Sequence, residues 1–420
     1  MLRVWTDRCL AGGVDRHGFG SVFTYEANAT ENDAISLTMR NRTASWGARA
    51  RLAPIFDMNL PEGALRRLLT RRFAKTVGSF DDFDLLSVVG SSQIGRLRYS
   101  APDVDLNEDV PFQSVDEVLR ARRGDGLLDH LLERFAVHSG ISGVQPKVLI
   151  RAVNRPGPPD RLRSSARSAT HIVKFWSPGG YPELAANEYF CLKVAQRVGL
   201  EVPSFHLSDD GAALVLERFD LSPNGGRVGF EDFCVLNALR SSGKYMGSYE
   251  TRLFKRAAEF TGAGHREALE RLYKLFVLNC AIRNGDAHLK NFGVVYQDVT
   301  QDPQLAPVYD LITTRAYLPN DGMALTLSGT TRWPDREKLT SLGRTRADLG
   351  EKQIEAMLEA TADAISDTAN DVRAYFADRA QFPEVGLSLL AAWQEGIDQS
   401  LGSGRTLVVG STSVKAMLRR

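Results

Sequence analysis

The feature that most constrains this chain is a polar stretch, Asn284-Gly-Asp-Ala-His-Leu-Lys-Asn-Phe292, followed by Pro307-Val-Tyr-Asp-Leu311. Asp286 and Asn291 lie five residues apart, and Asp310 lies nineteen residues after Asn291. Phosphoryl transfer from ATP needs a carboxylate at the attacking hydroxyl, an oxygen ligand for the metal ion, and a second carboxylate that holds the metal on the phosphates. Because the three residues supply these groups in that order, the stretch predicts a phosphoryl-transfer site.

The spacing of Asp286 and Asn291 also matches the Asp-to-Asn interval of the protein-kinase catalytic loop, H-R-D-x-x-x-x-N. Residues 292–296 and 305–309 are predicted to form two strands with a polar turn, which would bring Asp310 back beside Asp286. An ordinary turn is the alternative, because Asn-Gly-Asp is common in turns. The kinase interpretation therefore depends on a phosphate-binding loop and a lysine further upstream.

Length and composition indicate a globular protein of two or three domains. Charged residues make up 25% of the 420 residues and apolar residues 43%, which is ordinary for soluble proteins. The net charge of +1 gives no global attraction to nucleic acid or to a membrane. Apolar patches such as residues 275–278 are far shorter than the roughly 20 residues of a membrane span, and the first residues have no signal-peptide core. We therefore expect no membrane partner.

The four cysteines, Cys9, Cys191, Cys234 and Cys280, are widely scattered and form no C-x-x-C pair. Cys191, Cys234 and Cys280 lie in apolar segments, so we expect buried free thiols. Free thiols favour a reducing compartment, and we therefore expect the protein in the cytoplasm.

The first 105 residues are predicted to form an α+β module without a catalytic cluster. Apolar alternation and periodicity predict strands at 2–6 and 21–25 separated by a glycine-rich turn, helices at 61–74 and 82–90, and a strand at 94–99. A packing or docking role is favoured for this module. An acidic segment, residues 103–114, marks its boundary.

A candidate phosphate loop follows a helical region, residues 115–135, that is predicted to break at Gly124 and Gly126. The loop is His138-Ser-Gly-Ile-Ser-Gly-Val-Gln-Pro-Lys147, which leads into a strand at 147–151. Such a turn can present backbone N–H groups to phosphate oxygens, although it lacks the Walker A pattern and ordinary hairpins share its composition. The basic segment that follows, residues 151–168, is predicted to be a solvated mobile loop.

A lysine suited to phosphate binding lies in the next predicted strand, residues 170–175. In kinases a strand lysine contacts the α- and β-phosphates and pairs with a helix glutamate. Lys174 is in this position, and residues 183–198 form a predicted helix in which Glu188 is the favoured partner and Glu183 the rival. A surface lysine at the end of a strand is the ordinary alternative.

The hinge to the second half of the chain is predicted at Glu217-Arg-Phe-Asp220, where strands at 202–207 and 212–219 end. Backbone groups of Glu217 and Phe219 would there bond an adenine edge; a plain sheet edge is the alternative. Downstream, helices are predicted at 231–239, 249–260, 265–282, 352–376 and 386–401, and residues 311–331 are an irregular segment that either closes over a substrate or only connects.

With these residues in view, the chain resembles the HipA family, the serine/threonine-kinase toxins of bacterial toxin–antitoxin pairs. The resemblance rests on several segments in the family order: Pro61-Glu-Gly-Ala64, Phe83-Asp-Leu-Leu-Ser-Val-Val-Gly90, Ser142-Gly-Val-Gln-Pro-Lys147, Thr170-His-Ile-Val-Lys174, Asn187-Glu-Tyr-Phe-Cys-Leu192, Gly199-Leu-Glu-Val-Pro203, Glu217-Arg-Phe-Asp220, Asp286-Ala-His-Leu-Lys-Asn-Phe292 and Tyr309-Asp310. With the elements above, it predicts an α+β, bilobal protein-kinase-like fold. The N-terminal α+β subdomain would be 1–105, the small β-rich lobe 106–220 and the large helical lobe 221–420.

The resemblance implies a role for each matching residue. Asp286 would position or deprotonate the substrate hydroxyl, Asn291 and Asp310 would hold Mg²⁺, and Lys174 would contact the phosphates of ATP. The nucleotide site would further be lined by Ser142, Gly143, Val144, Gln145, Pro146, Lys147, Glu217, Arg218, Phe219, His288, Leu289, Lys290 and Tyr309.

The resemblance also implies partners and a means of inactivation. Family members phosphorylate aminoacyl-tRNA synthetases, which stops translation, and bind a small helix-turn-helix antitoxin, HipB, on operator DNA. Phosphorylation of a loop serine inactivates them; the best-known pattern has that serine where this chain has Gly140, so we expect autophosphorylation at Ser142, with Ser139 second. Pro146 replaces an acidic residue of some relatives and would stiffen the loop.

The residues thus favour an active protein kinase, and the resemblance implies that it is a toxin; two alternatives come from other classes. One is a DNA-bound co-repressor that acts mainly with the antitoxin. The other is a small-molecule kinase of the aminoglycoside type, which shares the Asp-to-Asn spacing and would have an acidic cleft.

Overall fold

The computed structural model describes residues 1–7, 9–18, 20–48, 51–77, 80–106, 109–122, 124–152, 168–176, 180–222, 226–377, 383–409 and 412–413. The strands are β1 (Leu2–Trp5), β2 (Leu10–His17), β3 (Gly20–Tyr25), β4 (Trp46–Ala48), β5 (Arg98–Ser100), β6 (Lys147–Ile150), β7 (His171–Phe175), β8 (Phe205–Leu207), β9 (Ala213–Glu217), β10 (Gly229–Asp232), β11 (Gly293–Tyr296), β12 (Gln304–Leu305), β13 (Val408–Val409) and β14 (Thr412–Ser413). The α-helices are α1 (Pro54–Asp57), α2 (Gly63–Val77), α3 (Asp82–Val89), α4 (Val115–Arg120), α5 (Leu127–Phe135), α6 (Leu184–Arg197), α7 (Phe233–Leu236), α8 (Lys255–Phe260), α9 (His265–Ala281), α10 (Arg336–Arg346), α11 (Glu351–Ala377) and α12 (Pro383–Gly396).

The chain divides into two compact units. Unit 1 consists of Met1–Ser177, Ser204–Gly243 and Gly293–Ala306, and unit 2 consists of Pro178–Pro203, Lys244–Phe292 and Pro307–Arg420. The antiparallel sheets and the long helices confirm the predicted α+β class. The predicted boundaries at residues 105 and 220 stay predictions.

The N-terminal part of unit 1 is a five-stranded antiparallel sheet with the order β4-β3-β2-β1-β5. The glycine-rich turn predicted between the first two strands is wrong, because that segment is β2 and pairs with β1 and β3 on both of its edges. Pairing on two edges thus overrides the local turn preference of its glycines. The predicted helices at 61–74 and 82–90 are confirmed as α2 and α3, and the Asp81 carboxylate caps the latter by accepting from Phe83 and Asp84 N–H groups.

The second sheet of unit 1 has the order β6-β7-β9-β8 and is antiparallel throughout. All four strands were predicted, with bounds one to three residues wider, and the register places Lys147 opposite Lys174. The helices α4 and α5 confirm the predicted break near Gly124. Of the predicted basic loop at 151–168, residues 153–167 lie outside the described residues.

The third sheet of unit 1 has the order β10-β11-β12. The strand pair predicted after Asn291 is confirmed by β11 and β12, although the second strand ends at Leu305. The helix predicted from residue 231 is corrected, because Gly229–Asp232 pairs with β11 as a strand. Asp232 then caps the short α7 by accepting a hydrogen bond from Val235 N–H at 3.0 Å.

Unit 2 is built from α6 and α8–α12, with α11 packed against α6, α9 and α12. Its core includes the fully buried rings of Tyr273, Phe276 and Trp393. The sequence did not predict α10, which is rich in charged residues and begins where Asp335 accepts from the Lys338 N–H. Cys191, Cys234 and Cys280 are buried free thiols, as expected. In the described part of the chain, no helix has both the length and the apolar composition to cross a membrane.

Candidate active site

The predicted catalytic turn follows α9 and is held by side chains of unit 2. Asn284 is buried; its Oδ1 accepts from the Asp286 N–H at 3.1 Å, and its Nδ2 donates to Asn279 Oδ1 at 2.7 Å. The Gly285 N–H donates to Thr314 Oγ1 at 2.7 Å. These bonds set the backbone that presents the Asp286 carboxylate. The asparagine before Gly-Asp is therefore a structural part of the turn.

One side chain links the catalytic turn to the predicted metal motif. The Asn291 Nδ2 donates to the backbone carbonyls of Asp286, at 2.9 Å, and of Asp310, at 3.4 Å. Since both partners are carbonyl oxygens, the NH₂ group faces them and the amide Oδ1 points the other way. The Tyr309 hydroxyl also donates to the Lys290 carbonyl at 2.9 Å. The structure thus brings Asp286, Asn291 and Asp310 together, as the spacing predicted.

The segment after Asp310 is anchored by residues that the sequence did not single out for this role. Asp310 has φ 51°, a left-handed conformation that aspartate adopts more readily than most residues. Asn187 on α6 bonds both backbone groups of Thr313, at 3.0 and 2.8 Å, and the indole N–H of Trp393 donates to its hydroxyl at 2.8 Å. The sequence indicated Asn187 only as the first residue of a segment that resembles the family. Its contact with Thr313, like that of Trp393, joins residues more than 75 positions apart.

The environment of Asp286 suits a general base. Burial raises the pKa of its carboxyl, while a hydrogen bond from the Tyr245 hydroxyl at 2.6 Å and the nearby Lys244 ammonium lower that pKa, leaving a net rise. A carboxylate with a raised pKa accepts a proton more readily at neutral pH. Neither Tyr245 nor Lys244 was predicted as a site residue, because their position beside Asp286 arises only in the folded chain.

His288 lies close to the base but carries no charge at neutral pH. Burial lowers the pKa of His288 to about 3, and its Nε2 lies 3.8 Å from Asp286 Oδ1. The contact is therefore not an ion pair at neutral pH. The buried Leu289 that follows donates its N–H to the Lys244 carbonyl at 3.1 Å, which fixes the backbone of this loop.

In unit 1, the candidate phosphate loop is fixed at both ends. The Ser142 hydroxyl donates to Glu62 Oε1 at 2.6 Å. Gln145 Nε2 donates to the Phe175 carbonyl at 3.1 Å, and the Phe175 N–H donates to the Pro146 carbonyl at 2.9 Å. The loop is thus held by β7 on one side and by the residues before α2 on the other.

The two predicted autophosphorylation serines differ in accessibility. Ser139 is fully buried; its hydroxyl donates to the Phe135 carbonyl at 2.7 Å and accepts from the Leu149 N–H at 2.9 Å. Ser142 is half-buried at the loop. A side chain at position 140 would force the backbone to move, since a Cβ there would lie 2.5 Å from the Ser92 carbonyl oxygen. Of the two serines, Ser142 is therefore the more accessible to phosphorylation.

Lys174 is buried in β7, opposite Lys147 of β6. Its predicted partner Glu188 is buried on α6, and the rival Glu183 directly precedes that helix with φ 57°. Both glutamates belong to unit 2 and Lys174 to unit 1. The pairing of Lys174, and its meeting with the carboxylates of unit 2 on one nucleotide, stay predictions.

The predicted hinge residues have largely structural contacts. The Glu217 N–H donates to the Ser204 carbonyl at 2.8 Å, so this donor is used within the sheet. The buried Arg218 guanidinium bonds both carboxylate oxygens of Asp220, at 2.9 and 2.5 Å. The Phe219 ring packs edge-on against Phe230, with centroids 5.4 Å apart. The Arg218 side chain therefore belongs to the interior of unit 1.

Two sequence models of known domains match the chain. The HipA N-terminal domain matches residues 2–100, and the HipA-like C-terminal domain matches residues 139–369, more than half of the chain.

The chain belongs to the HipA family.

Relatives of this HipA-family protein can be aligned with it over most of its length. The "Putative kinase Y4mE" of Sinorhizobium fredii is 28% identical over 407 residues, which cover 91% of this chain and 94% of the relative. The "Putative kinase Y4dM" of the same organism is 29% identical over 321 residues, 72% of each chain. The HipA of Shewanella oneidensis MR-1, solved in a complex with HipB and operator DNA, has a TM-score of 0.66 at 19% identity and covers 96% of this chain and 98% of its own. That structure shows the same fold.

The candidate catalytic turn has donors that fit a magnesium ion. Within the described ranges, no group of three or more His, Cys, Asp or Glu side chains could hold a metal alone. Mg²⁺ in phosphotransferases is commonly bound by only one or two protein ligands together with substrate phosphates. The Asn291 Oδ1 and the Asp310 carboxylate are oxygen donors of this kind on neighbouring segments.

Proposed function

We propose that this HipA-family protein is an ATP- and Mg²⁺-dependent serine/threonine protein kinase that arrests bacterial growth. The observation that carries the proposal is the Asn291 amide, which bonds the carbonyls of both Asp286 and Asp310 and so joins the candidate base to the candidate metal ligand. The raised pKa of Asp286 and the kinase names of two relatives support it.

In this proposal the chain's own residues position the reactants. The acceptor hydroxyl donates to Asp286, its oxygen bonds the γ-phosphorus of ATP, the bond to the departing ADP breaks, and the hydroxyl proton passes to the carboxylate. Asn291 and Asp310 would hold Mg²⁺, which neutralises phosphate charge when bound. Lys174 and the Ser142–Lys147 loop would contact the phosphates. The backbone of Phe219 and residues His288–Asn291 would line the rest of the nucleotide site.

Ser142 is proposed as the site of inhibitory autophosphorylation. A phosphate on its hydroxyl would add about −1.5 to −2 charge units at neutral pH. That charge would replace a hydrogen bond of 2.6 Å to the Glu62 carboxylate. Repulsion between the two anions would push the loop out of its present conformation, and an ATP-binding loop so displaced would leave the enzyme inactive.

The proposed substrate is a protein of translation, most simply an aminoacyl-tRNA synthetase, as the family resemblance implies. The proposed partner is a HipB-like antitoxin, and operator DNA through it, since the Shewanella oneidensis relative was solved with both. A co-repressor role could therefore accompany the kinase role. A gel-shift assay with operator DNA, with and without the antitoxin, tests it: a further shift on adding this chain supports the role, and an unchanged mobility contradicts it.

The kinase proposal is tested with purified protein, γ-labelled ATP, Mg²⁺ and a bacterial lysate. We expect labelled protein with the wild-type chain, none with Asp286→Ala, and growth arrest on expression of the wild type alone. Label found only in small molecules would instead indicate the aminoglycoside-type alternative. If Asp286→Ala still labels protein and still arrests growth, the assignment is wrong.

A further inference from the structure

The hydroxyl of Tyr245 lies on the candidate catalytic base. It donates a hydrogen bond to Asp286 Oδ1 with an O–O distance of 2.6 Å. In phosphoryl transfer to serine or threonine, the acceptor hydroxyl must make the same kind of bond to the base before it attacks. The Tyr245 hydroxyl therefore occupies Oδ1, one of the two carboxylate oxygens to which an acceptor hydroxyl can bond.

The segment that carries Tyr245 is fixed in its backbone and open at its side chains. The Lys244 carbonyl accepts from the Leu289 N–H at 3.1 Å, so the backbone is tied to the catalytic loop. Tyr245 and Met246 are nevertheless 51% and 58% exposed. Gly247 follows with φ 99°, a conformation that favours glycine and ends the exposed segment in a tight turn. The exposed Tyr245 side chain thus contacts the candidate base from a segment whose backbone is held in place.

The contacts of the Tyr245 ring allow it to move without breaking the core. Its ring lies edge-on to His288, with centroids 5.0 Å apart, and the Lys244 ammonium lies 5.3 Å from its centroid. Because His288 is buried and Tyr245 is not, a rotation of the Tyr245 side chain into solvent would uncover Asp286 and leave the histidine in place. Side-chain rotation of exposed residues occurs in picoseconds to nanoseconds, far faster than turnover.

We propose that Tyr245 is a placeholder for the acceptor hydroxyl: it occupies Asp286 in the free enzyme and is displaced by the incoming serine or threonine. The Tyr245 ring then forms one wall of the acceptor subsite, against which a side chain flanking the acceptor residue can pack. This inference rests on the proposed kinase function. It makes Tyr245 a positioning residue that sets acceptor affinity rather than the rate of the chemical step.

Tyr245→Phe keeps the ring and removes the competing hydroxyl. Because the free enzyme then no longer has to break this charge-assisted hydrogen bond, the apparent KM for acceptor protein should fall about tenfold with kcat retained. Acceptor-independent ATP hydrolysis should rise severalfold, because a water molecule can then bond Asp286 Oδ1 in place of the Tyr245 hydroxyl and attack ATP. Tyr181→Phe, another exposed tyrosine of unit 2, is the matched control and should change neither quantity.

The test measures initial rates of label transfer to a dilution series of bacterial lysate protein, and ADP release without it, for wild type and the two variants. Equal thermal midpoints would establish that all three are folded. The expected KM decrease with unchanged kcat supports the placeholder. A fall in kcat at constant KM, or ADP release equal to wild type, overturns it. If the wild type itself transfers no phosphate, the proposed function fails first, and the inference with it.

Discussion

Ser142 in the candidate phosphate loop donates a hydrogen bond of 2.6 Å to Glu62, a residue just before α2. Next to Glu62, Gly63 has φ 53° and lies against the Val144 carbonyl so closely that a Cβ would be 2.4 Å from that oxygen. Both contacts lie within unit 1. The N-terminal module therefore supports the conformation of the candidate phosphate loop.

A negative charge at Ser142 should release the loop. In Ser142→Asp a carboxylate would face the Glu62 carboxylate at hydrogen-bond distance. The hydrogen bond from Ser142 would be lost and the two carboxylates would repel each other, so ATP binding should weaken about tenfold or more. Adding Glu62→Gln to this variant removes the repulsion and should recover part of the affinity. Titration calorimetry measures the ATP affinity of the single and the double variant. Ser45→Asp, at an exposed serine, is the control. Equal affinity of the single and double variants would contradict the Glu62 contact.

Gly285 cannot be replaced without moving the catalytic turn. A Cβ there would lie 2.0 Å from Asp321 Oδ2 and 2.5 Å from the Gly322 carbonyl. We expect Gly285→Ala to lose roughly 1–3 kcal/mol of unfolding free energy through overpacking, together with most kinase activity. Gly264→Ala is the matched change in unit 2, since a Cβ there meets nothing within 4 Å. Urea denaturation measures the stability of the two variants, and label transfer measures their kinase activity. Equal values for both variants would show that the close approach of Gly285 to Asp321 and Gly322 is unimportant.

The amide of Asn187 should matter for the metal motif and for stability alike. Asn187→Ala leaves the N–H and carbonyl of buried Thr313 without the two bonds they make now. Each unsatisfied group costs about 1–3 kcal/mol, so the free energy of unfolding should fall by several kcal/mol. The Mg²⁺ concentration needed for half-maximal transfer should rise. The exposed Asn370→Ala on α11 should leave both quantities at the wild-type level. An Asn187→Ala protein as stable as wild type would show that the contact is dispensable.

Glu231 should make unit 1 less stable as the pH rises from 4.5 to 6. It is fully buried, bonded by Ser36, the Leu37 N–H and the Tyr296 hydroxyl, and burial raises its pKa from 4.5 to about 6. Because the folded state then binds the proton more tightly than the unfolded state, stability is highest below pH 4.5 and falls by about 2 kcal/mol as the pH passes 6. Chemical denaturation at pH 4.5 and 6.5 should show this loss in wild type relative to Glu231→Gln. An equal pH dependence in the two proteins would exclude the effect.

The sequence predicts this molecule best where local chemistry decides the structure. The apolar periodicity of α3 and α9 identifies those helices directly, and the five-residue spacing of Asp286 and Asn291 identifies the candidate catalytic turn. The strand β2 was missed because its pairing on two edges is not visible in its glycines.

The supporting contacts of the site could not be predicted in the same way. Tyr245 reaches Asp286 across 41 residues, and Asn187 reaches Thr313 across 126. No local periodicity encodes such pairs, since they form only when the chain packs. Ser139 shows the converse, because a loop serine that looks available in the sequence proves to be buried and doubly hydrogen-bonded.

The most direct test of the central claim is the rate of phosphate transfer from ATP by Asp286→Asn, measured beside its ATP affinity. Loss of a positioned general base lowers a rate roughly 10²–10⁴-fold, and we expect this loss with ATP affinity unchanged. Asp348→Asn, at an 88% exposed side chain of the same unit, should transfer phosphate at the wild-type rate. Wild-type transfer by Asp286→Asn would contradict the account.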